Sequence, residues 1–360
     1  MVSRKYCFEM PIAHGEHKFL KIKYPADKNG KPLPANLTGN TFECLFGANQ
    51  SMLELFILKR KIKGPCWMTI KNPKVINLKS DFKHTWCQQE LYVENPKDVE
   101  ITIDDLNKQS PPMTCLSFAM KTSRSANNTN EVAMISCLVH SDINQDGPTN
   151  SQAMNTFTLV RRLDKTPWPF DLNQRLKDKK NSNIQRFETE RQLLEGLIAR
   201  IHQIDPDVML AHNLCGSVLE ILLARINFLN IPHWSRIGRL KKGQFPQRKE
   251  QGGYTGSQWI PRMVTCGRLM VDTYVSSKEL LRETNYELGN LAQKQLKTQR
   301  QEFDDDMLPD FYLKSDRVLK LVEHTETDSY LTFKLMLHLN ILPLTKQLTT
   351  IAGNLWFRSL

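Results

Sequence analysis

The chain has 360 residues, 40% of them hydrophobic and 24% charged, with a formal net charge of +11. That balance describes a globular protein too long for one ordinary core, with a surface that would attract polyanions, nucleic acid first among them. Its 8 cysteines include no Cys-x-x-Cys pair, its start has no apolar leader, and no apolar run is long enough for a membrane span, so a zinc ribbon, a disulfide framework, secretion and a transmembrane role are disfavoured.

Residues 1–110 read as β-rich with one helix. Strand character is expected at 6–10 and at 17–24, the latter alternating Phe19, Lys21 and Lys23 with Leu20, Ile22 and Tyr24. A Pro/Gly/Asn loop at 25–40 precedes a strand candidate at 41–46. Residues 51–60 predict a helix whose basic end, Lys59, Arg60 and Lys61, suits the negative pole of its dipole. Gly64-Pro65 then turns the chain into a strand at 66–70, and 81–103 stays extended.

Ser110-Pro111-Pro112 marks the expected boundary between an N-terminal domain, 1–110, and a second domain, 111–340, with 341–360 as a connection. Residues 113–120 and 131–140 predict apolar strands joined by the polar loop KTSRSANNTNE, and 156–160 extends the meander. Polar connections are expected at 141–151 and 168–182. Thr189 and Gln192 fit a capping box, with Gln192 reaching back to the cap N–H, ahead of a helix at 190–203.

From Ile204 the chain reads IDPDVMLAHNLCGSVLEILLARINFL. Residues 207–211 suit a buried strand, 212–216 a polar turn, and Leu219, Leu222, Leu223 and Ile226 one face of a helix. Strand, tight loop and helix form the unit on which α/β proteins mount sites, and equally an ordinary piece of core. A strand is expected at 269–272. A second capping-box match at Ser276 and Glu279 opens a helix with Leu280 and Leu281, and Ser315 caps a helix to 339, with Thr325 and Thr327 inviting a break near Glu326. The order predicts an α+β or α/β fold, a mixed sheet covered by helices.

No Walker loop, dinucleotide fingerprint or His-x-x-x-His pair is present. Residues 236–249 concentrate Arg236, Arg239, Lys241, Lys242, Arg248 and Lys249, preceded by Trp234 and followed or interleaved by Phe245, Tyr254 and Trp259. Cations gain affinity by displacing counterions from phosphates, and aromatic faces stack on unpaired bases. The stretch is either a nucleic-acid-binding element or a solvated basic loop.

The strand meander followed by helix, strand and helix resembles the RNase H-like 3′–5′ exonuclease fold. The runs KRKIKGPCW from Lys59, IDPDVMLAHN from Ile204, PHWSRIGRLKK from Pro232, LHLNILPL from Leu337 and IAGN from Ile351 narrow the resemblance to the eukaryotic B-family DNA polymerases. That resemblance implies an N-terminal domain, an exonuclease-like domain and a chain that stops where the family's palm would begin. It implies a nuclear parent, a DNA-directed DNA polymerase with Mg²⁺ in that palm, extending RNA-DNA primers in company with a primase and accessory subunits that bind outside this portion. No membrane partner is implied.

Active exonucleases of this fold hold two Mg²⁺ in a carboxylate cage across the scissile phosphate. The resemblance aligns their Phe-Asp-x-Glu run with Phe118-Ala119-Met120-Lys121, and their second Asp, which follows an Asn, with Val218 beyond Asn213. Their last motif, Tyr ahead of Asp, corresponds to His324 and Asp328. Only Asp328 of four carboxylates remains. Mg²⁺ requires hard oxygen ligands, and a lysine repels a cation about 4 Å away by about 4 kcal/mol per unit charge near a protein surface. The expectation is therefore no metal here, no exonuclease activity, and a scaffold that binds primer-template. Lys121 either pairs with Asp328 in place of the metal or points to solvent from its strand end. Glu326-Thr327-Asp328-Ser329 superficially matches a polymerase metal motif, but it falls in a helical stripe. Two alternatives stand beside this reading: an active nuclease built on Asp207, Asp272 and Glu220, and a protein-binding segment.

Overall fold

A computed structural model describes residues 2–6, 16–22, 37–43, 45–46, 51–76, 83–102, 109–125, 127–149, 154–163, 166–178, 183–246, 259–304 and 307–360. The chain forms two compact units, Met1–Lys59 and Arg60–Leu360, a division earlier than the boundary expected at residue 110. In the first unit β1 (Val2–Tyr6) and β2 (Glu16–Leu20) make an antiparallel ladder from Val2 opposite Leu20 to Tyr6 opposite Glu16. Residues 7–10 and 23–24, expected as strand, lie outside the described residues. Among the described residues of 41–46 there is a lone bridge, Phe42 to Gly39, in place of the expected strand. α1 (Met52–Arg60) begins at a reciprocal cap in which Ser51 and Glu54 each satisfy the other's backbone N–H.

In the second unit, short antiparallel pairs join β3 (Met68–Ile70) to β6 (Val99–Ile101), and β4 (Lys74–Val75) to β5 (Leu91–Tyr92). The segment around Trp86 is strapped onto the rest of this unit. Trp86 N–H donates to Arg239 O at 2.9 Å, Lys241 N–H donates to His84 O at 2.9 Å, and Thr85 bridges Leu240.

The main sheet has six strands. β7 (Met113–Arg124), β8 (Asn130–Ile143) and β9 (Met154–Arg161) form an antiparallel meander, longer at both ends than the apolar runs alone suggest. β7 continues through Lys121 to Arg124, residues expected to be loop, with a register shift between Lys121 and Thr122. After α2 (Leu172–Asp178), β10 (Ile184–Phe187) adds parallel to β9; both elements occupy a region read as a polar connection or left unassigned. α3 (Glu190–Ile204) leads into β11 (Val208–Ala211), parallel to β7. Thr189 caps α3 by accepting from Gln192 N–H, but the Gln192 amide oxygen accepts from Glu188 N–H and not from the cap itself.

A π-helical turn, Leu214–Val218, joins β11 to α4 (Leu219–Phe228). α5 (Trp259–Val264) precedes β12 (Leu269–Asp272), which closes the sheet in the order β10-β9-β8-β7-β11-β12. α6 (Thr273–Leu280) starts earlier than the capping-box match implied. Its cap is Asp272, and Ser276 is inside the helix with its hydroxyl donating to Asp272 O. α7 (Leu288–Gln295), α8 (Leu308–Phe311), α9 (Ser315–His338) and α10 (Ile341–Ala352) complete the unit. α9 is one unbroken helix. Thr325 and Thr327 do not interrupt it, because their hydroxyls donate to the carbonyls of Leu321 and Glu323 one turn back.

Both faces of the sheet are covered, which is why its central strands are apolar on both sides. Met209 and Ala211 of β11 face a core with α3 and α4, while Val208 and Leu210 face the opposite core with Phe333 and Met336 of α9. The same alternation in β7 sends Leu116 and Phe118 to the α3/α4 side. Ser117 points to the other side, where its hydroxyl donates to Ser329 O of α9 at 2.8 Å. Ala119 and Lys121 follow on that face.

Candidate functional site

The side chains on the α9 face of β7 open into a cleft of about 680 Å³. Ala119 of β7, Val218 at the end of the π-turn and Asp328 of α9 all line it, together with His212, Asn290, Gln293 and Arg300. Residues far apart in the chain and aligned with nuclease positions by resemblance thus meet in one place. Asn213 holds the turn at the rim. Its left-handed backbone, φ 57°, reverses the chain after β11, and its amide donates to Ser217 Oγ at 3.1 Å.

Asp328 is 6% exposed, and its carboxylate is the centre of a compact ion cluster. Arg300 forks onto it, Nε to Oδ1 at 2.6 Å and Nη2 to Oδ2 at 3.0 Å. Lys121, also buried, places Nζ 3.9 Å from Oδ2, so it turns inward to Asp328 and not outward to solvent. The Lys121 ammonium also lies 5.0 Å from the centre of the Phe303 ring. His324 Nδ1 is 3.6 Å from Oδ2, while Nε2 lies 2.7 Å from Gln301 O, which fixes the tautomer with the proton on Nε2. Burial lowers the His324 pKa foremost; Asp328 pulls it up, Lys121 and Arg300 push it down, and the net direction is down.

Arg300 is the residue the sequence did not single out. It stands 28 positions before its partner, in a polar segment with no helical or strand periodicity to connect the two. The fork is the strongest arrangement available to a guanidinium and a carboxylate, and it uses both oxygens that a metal would need. Its own position is set by Glu302, 3.0 Å from Arg300 Nη1. Glu302 in turn approaches Gly289 of α7 so closely that a Cβ there would meet its Oε1 at 2.3 Å.

The alternative carboxylates do not converge. Asp207 precedes β11, accepts from Thr114 N–H at 2.9 Å, and pairs with Arg239 Nη2 at 2.7 Å. Asp272 sits at the other end of the parallel ladder, where it caps α6 through Tyr274 N–H and accepts from Cys215 N–H, both at 2.9 Å. A strand rises about 3.3 Å per residue, so the length of β11 keeps these two apart. Glu220 is exposed in the first turn of α4. Among the described residues, no three His, Cys, Asp or Glu side chains gather as a metal-holding group.

The basic stretch divides into structural and surface roles. Trp234, expected as a stacking platform, is 9% exposed and edge-on to Phe245 at 4.9 Å within the α3/α4 core. Arg239 is committed to Asp205 and Asp207 at 3.0 and 2.7 Å, fixing the turn after α3. Arg268 joins it on Asp205 at 2.7 Å. Burial acts first to raise the Asp205 pKa, but the two guanidinium groups outweigh it and the net direction is down. Arg236 and Lys241 lie 4.8 and 4.7 Å from the centre of the Trp86 ring, and Lys242 donates to Met263 O. Arg248, Lys249 and Tyr254 lie outside the described residues.

A β7-β8-β9 meander continued by parallel strands, with the cleft at the mouth of β7 and β11 beside α9, is the layout of a 3′–5′ exonuclease domain. Residues 44–291 match the exonuclease domain of DNA polymerase family B, and the chain belongs to that family. Over its whole length it is 60% identical to the DNA polymerase alpha catalytic subunits of Oxytricha trifallax and Sterkiella nova, and 38% identical to that of Xenopus laevis. It spans about 24% of the length of each of these relatives.

Proposed function

We propose that these residues are the exonuclease-like part of a replicative, nuclear DNA polymerase alpha catalytic subunit, and that within it they act as a non-catalytic platform for primer-template. The parent would add deoxynucleotides to RNA-DNA primers supplied by an associated primase, using Mg²⁺ bound in a palm outside these residues. The division into 1–110, 111–340 and 341–360 belongs to the same reading, the last segment leading toward that palm.

The observation that carries the non-catalytic role is the Arg300 fork on Asp328. A two-metal nuclease needs several anionic oxygens converging on two dications. Three carboxylates line this cleft, Asp328, Glu287 and Glu302, but among the described residues they do not gather as a metal-holding group. Asp328 is bonded on both oxygens by Arg300, Glu302 is paired with the same guanidinium, and an ammonium, a methyl group and an isopropyl group stand at the other aligned positions. The donor set does not fit Mg²⁺. Whole-length identity to polymerase alpha subunits supports the rest of the reading.

The test is a digestion assay on 5′-labelled single strands with Mg²⁺ and with Mn²⁺. No shortening above a no-protein control is expected. Metal-dependent loss of 3′ nucleotides, abolished by Asp328→Asn, would replace the platform with a working nuclease.

A further inference from the structure

A second cavity, about 640 Å³ in volume, lies away from the Asp328 cleft, between the Trp86 strap and the segment that follows α4. Lys83, Lys241 and Lys242 line it, and among the described residues no carboxylate does. Lys83 and Lys242 donate to the neutral backbone oxygens of Gln88 and Met263. Their charges are therefore held in place without being cancelled by those contacts.

The remaining wall is aromatic, amide and aliphatic. His233 is exposed at a left-handed turn, φ 55°, that projects it from the chain. Phe245 is half-buried against Trp234, and the carboxamides of Asn227 and Asn230 join the lining beside the aliphatic Ile226, Ile231 and Pro232. The Trp86 ring lies against Arg236 and Lys241, so it positions cations and is not itself a vacant stacking face.

We infer that this groove binds single-stranded nucleic acid by taking up one unpaired nucleotide, its phosphates on the lysines and its base against His233 and Phe245; the inference rests on the platform reading above. A volume of this size suits a nucleotide. Lysines attract any polyanion, but only a base also offers a flat π face to the rings and hydrogen-bonding edges to the two carboxamides. An acidic peptide would leave rings and amides unused. A duplex hides its base faces in the stack, so an unpaired strand is preferred.

The experiment uses the 360-residue chain and a 2-aminopurine-labelled 12-mer, with anisotropy measured across a salt series. The variant Lys83→Gln/Lys241→Gln/Lys242→Gln is expected to bind at least tenfold more weakly. Its slope of log affinity against log salt should be shallower by about 2, since each single-strand phosphate contact contributes about 0.7. The matching Lys→Arg triple variant should retain binding. His233→Asn, which keeps the left-handed turn, should remove the 2-aminopurine quenching. Blunt duplex of equal length should bind at least tenfold more weakly than the single strand.

A Gln variant equal to the parent chain in affinity and slope would overturn the groove while leaving nucleic-acid binding elsewhere on the chain intact. Duplex binding as tight as single-strand binding would also overturn it. Failure of the unsubstituted chain to bind any oligonucleotide would remove both the groove and the platform reading.

Discussion

Asp328 shows how one side chain changes meaning with its neighbours. A buried carboxylate facing other carboxylates needs a cation, and here Arg300 and Lys121 supply it from within the chain. Removing one partner of a buried pair strands the other charge. Arg300→Met is therefore expected to destabilise the protein by about 3 kcal/mol in urea titrations. The triple variant Arg300→Met/Asp328→Leu/Lys121→Met should lose less than Arg300→Met alone, because all three charges of the buried cluster are then removed together. A triple variant weaker than the single would mean that packing, and not charge, holds this region. The sequence carried half of this arrangement. Ala119, Lys121, Val218 and Asp328 were aligned one by one through the family resemblance, which local patterns alone would not have supplied, since Lys121 reads as the start of a polar loop. Arg300 could not be found, because its partnership is purely tertiary.

At the scale of elements, the meander, α3, β11, α4, β12 and α9 were legible because each repeats its apolar residues at the period of its own geometry. β10, α2, α5 and α7 were not. β10 is four residues long and only half-buried, α2 is one short polar helix, and α7 is an eight-residue helix whose buried face is Leu288, Leu291 and Ala292. Local chemistry also misled at α6, where Ser276 and Glu279 mimic a cap and the true one is Asp272. Asp272 belongs to the framework, joining the turn after β11 to the start of α6. Asp272→Ala would lose the cap and orphan Cys215 N–H, at a cost of about 2 kcal/mol. Thermal melting would reveal it. An unchanged melting temperature would show that this carboxylate is dispensable to the fold and return it to consideration as a functional group.

For the whole molecule, net charge suggests partners, whereas stability depends on which charges are buried. Burial lowers the pKa of His212 foremost, with Asp272 and Glu287 opposing it; His324 is lowered for the same first reason. Their ordinary value is about 6.5, so their neutral forms contribute stability that is complete above that pH. It is lost as the pH falls through the lower folded values, because the unfolded chain takes up protons first. Asp205, lowered by Arg239 and Arg268 against burial, adds a second loss that begins below about pH 4. The melting temperature is expected to fall from pH 7 to pH 5 and again in strong acid, and His324→Gln should flatten the first limb. A flat profile between pH 7 and 5 would contradict the assignment of neutral, buried histidines.

In the proposed platform, the nuclease-aligned carboxylate of the cleft, Asp328, is satisfied from within the chain. Anomalous scattering from crystals soaked in Mn²⁺ tests this most directly. The expected map has no manganese peak within coordination distance of Asp328 and shows the Arg300 fork intact. Two peaks bridged by the Asp328 carboxylate, with Arg300 swung away, would contradict it.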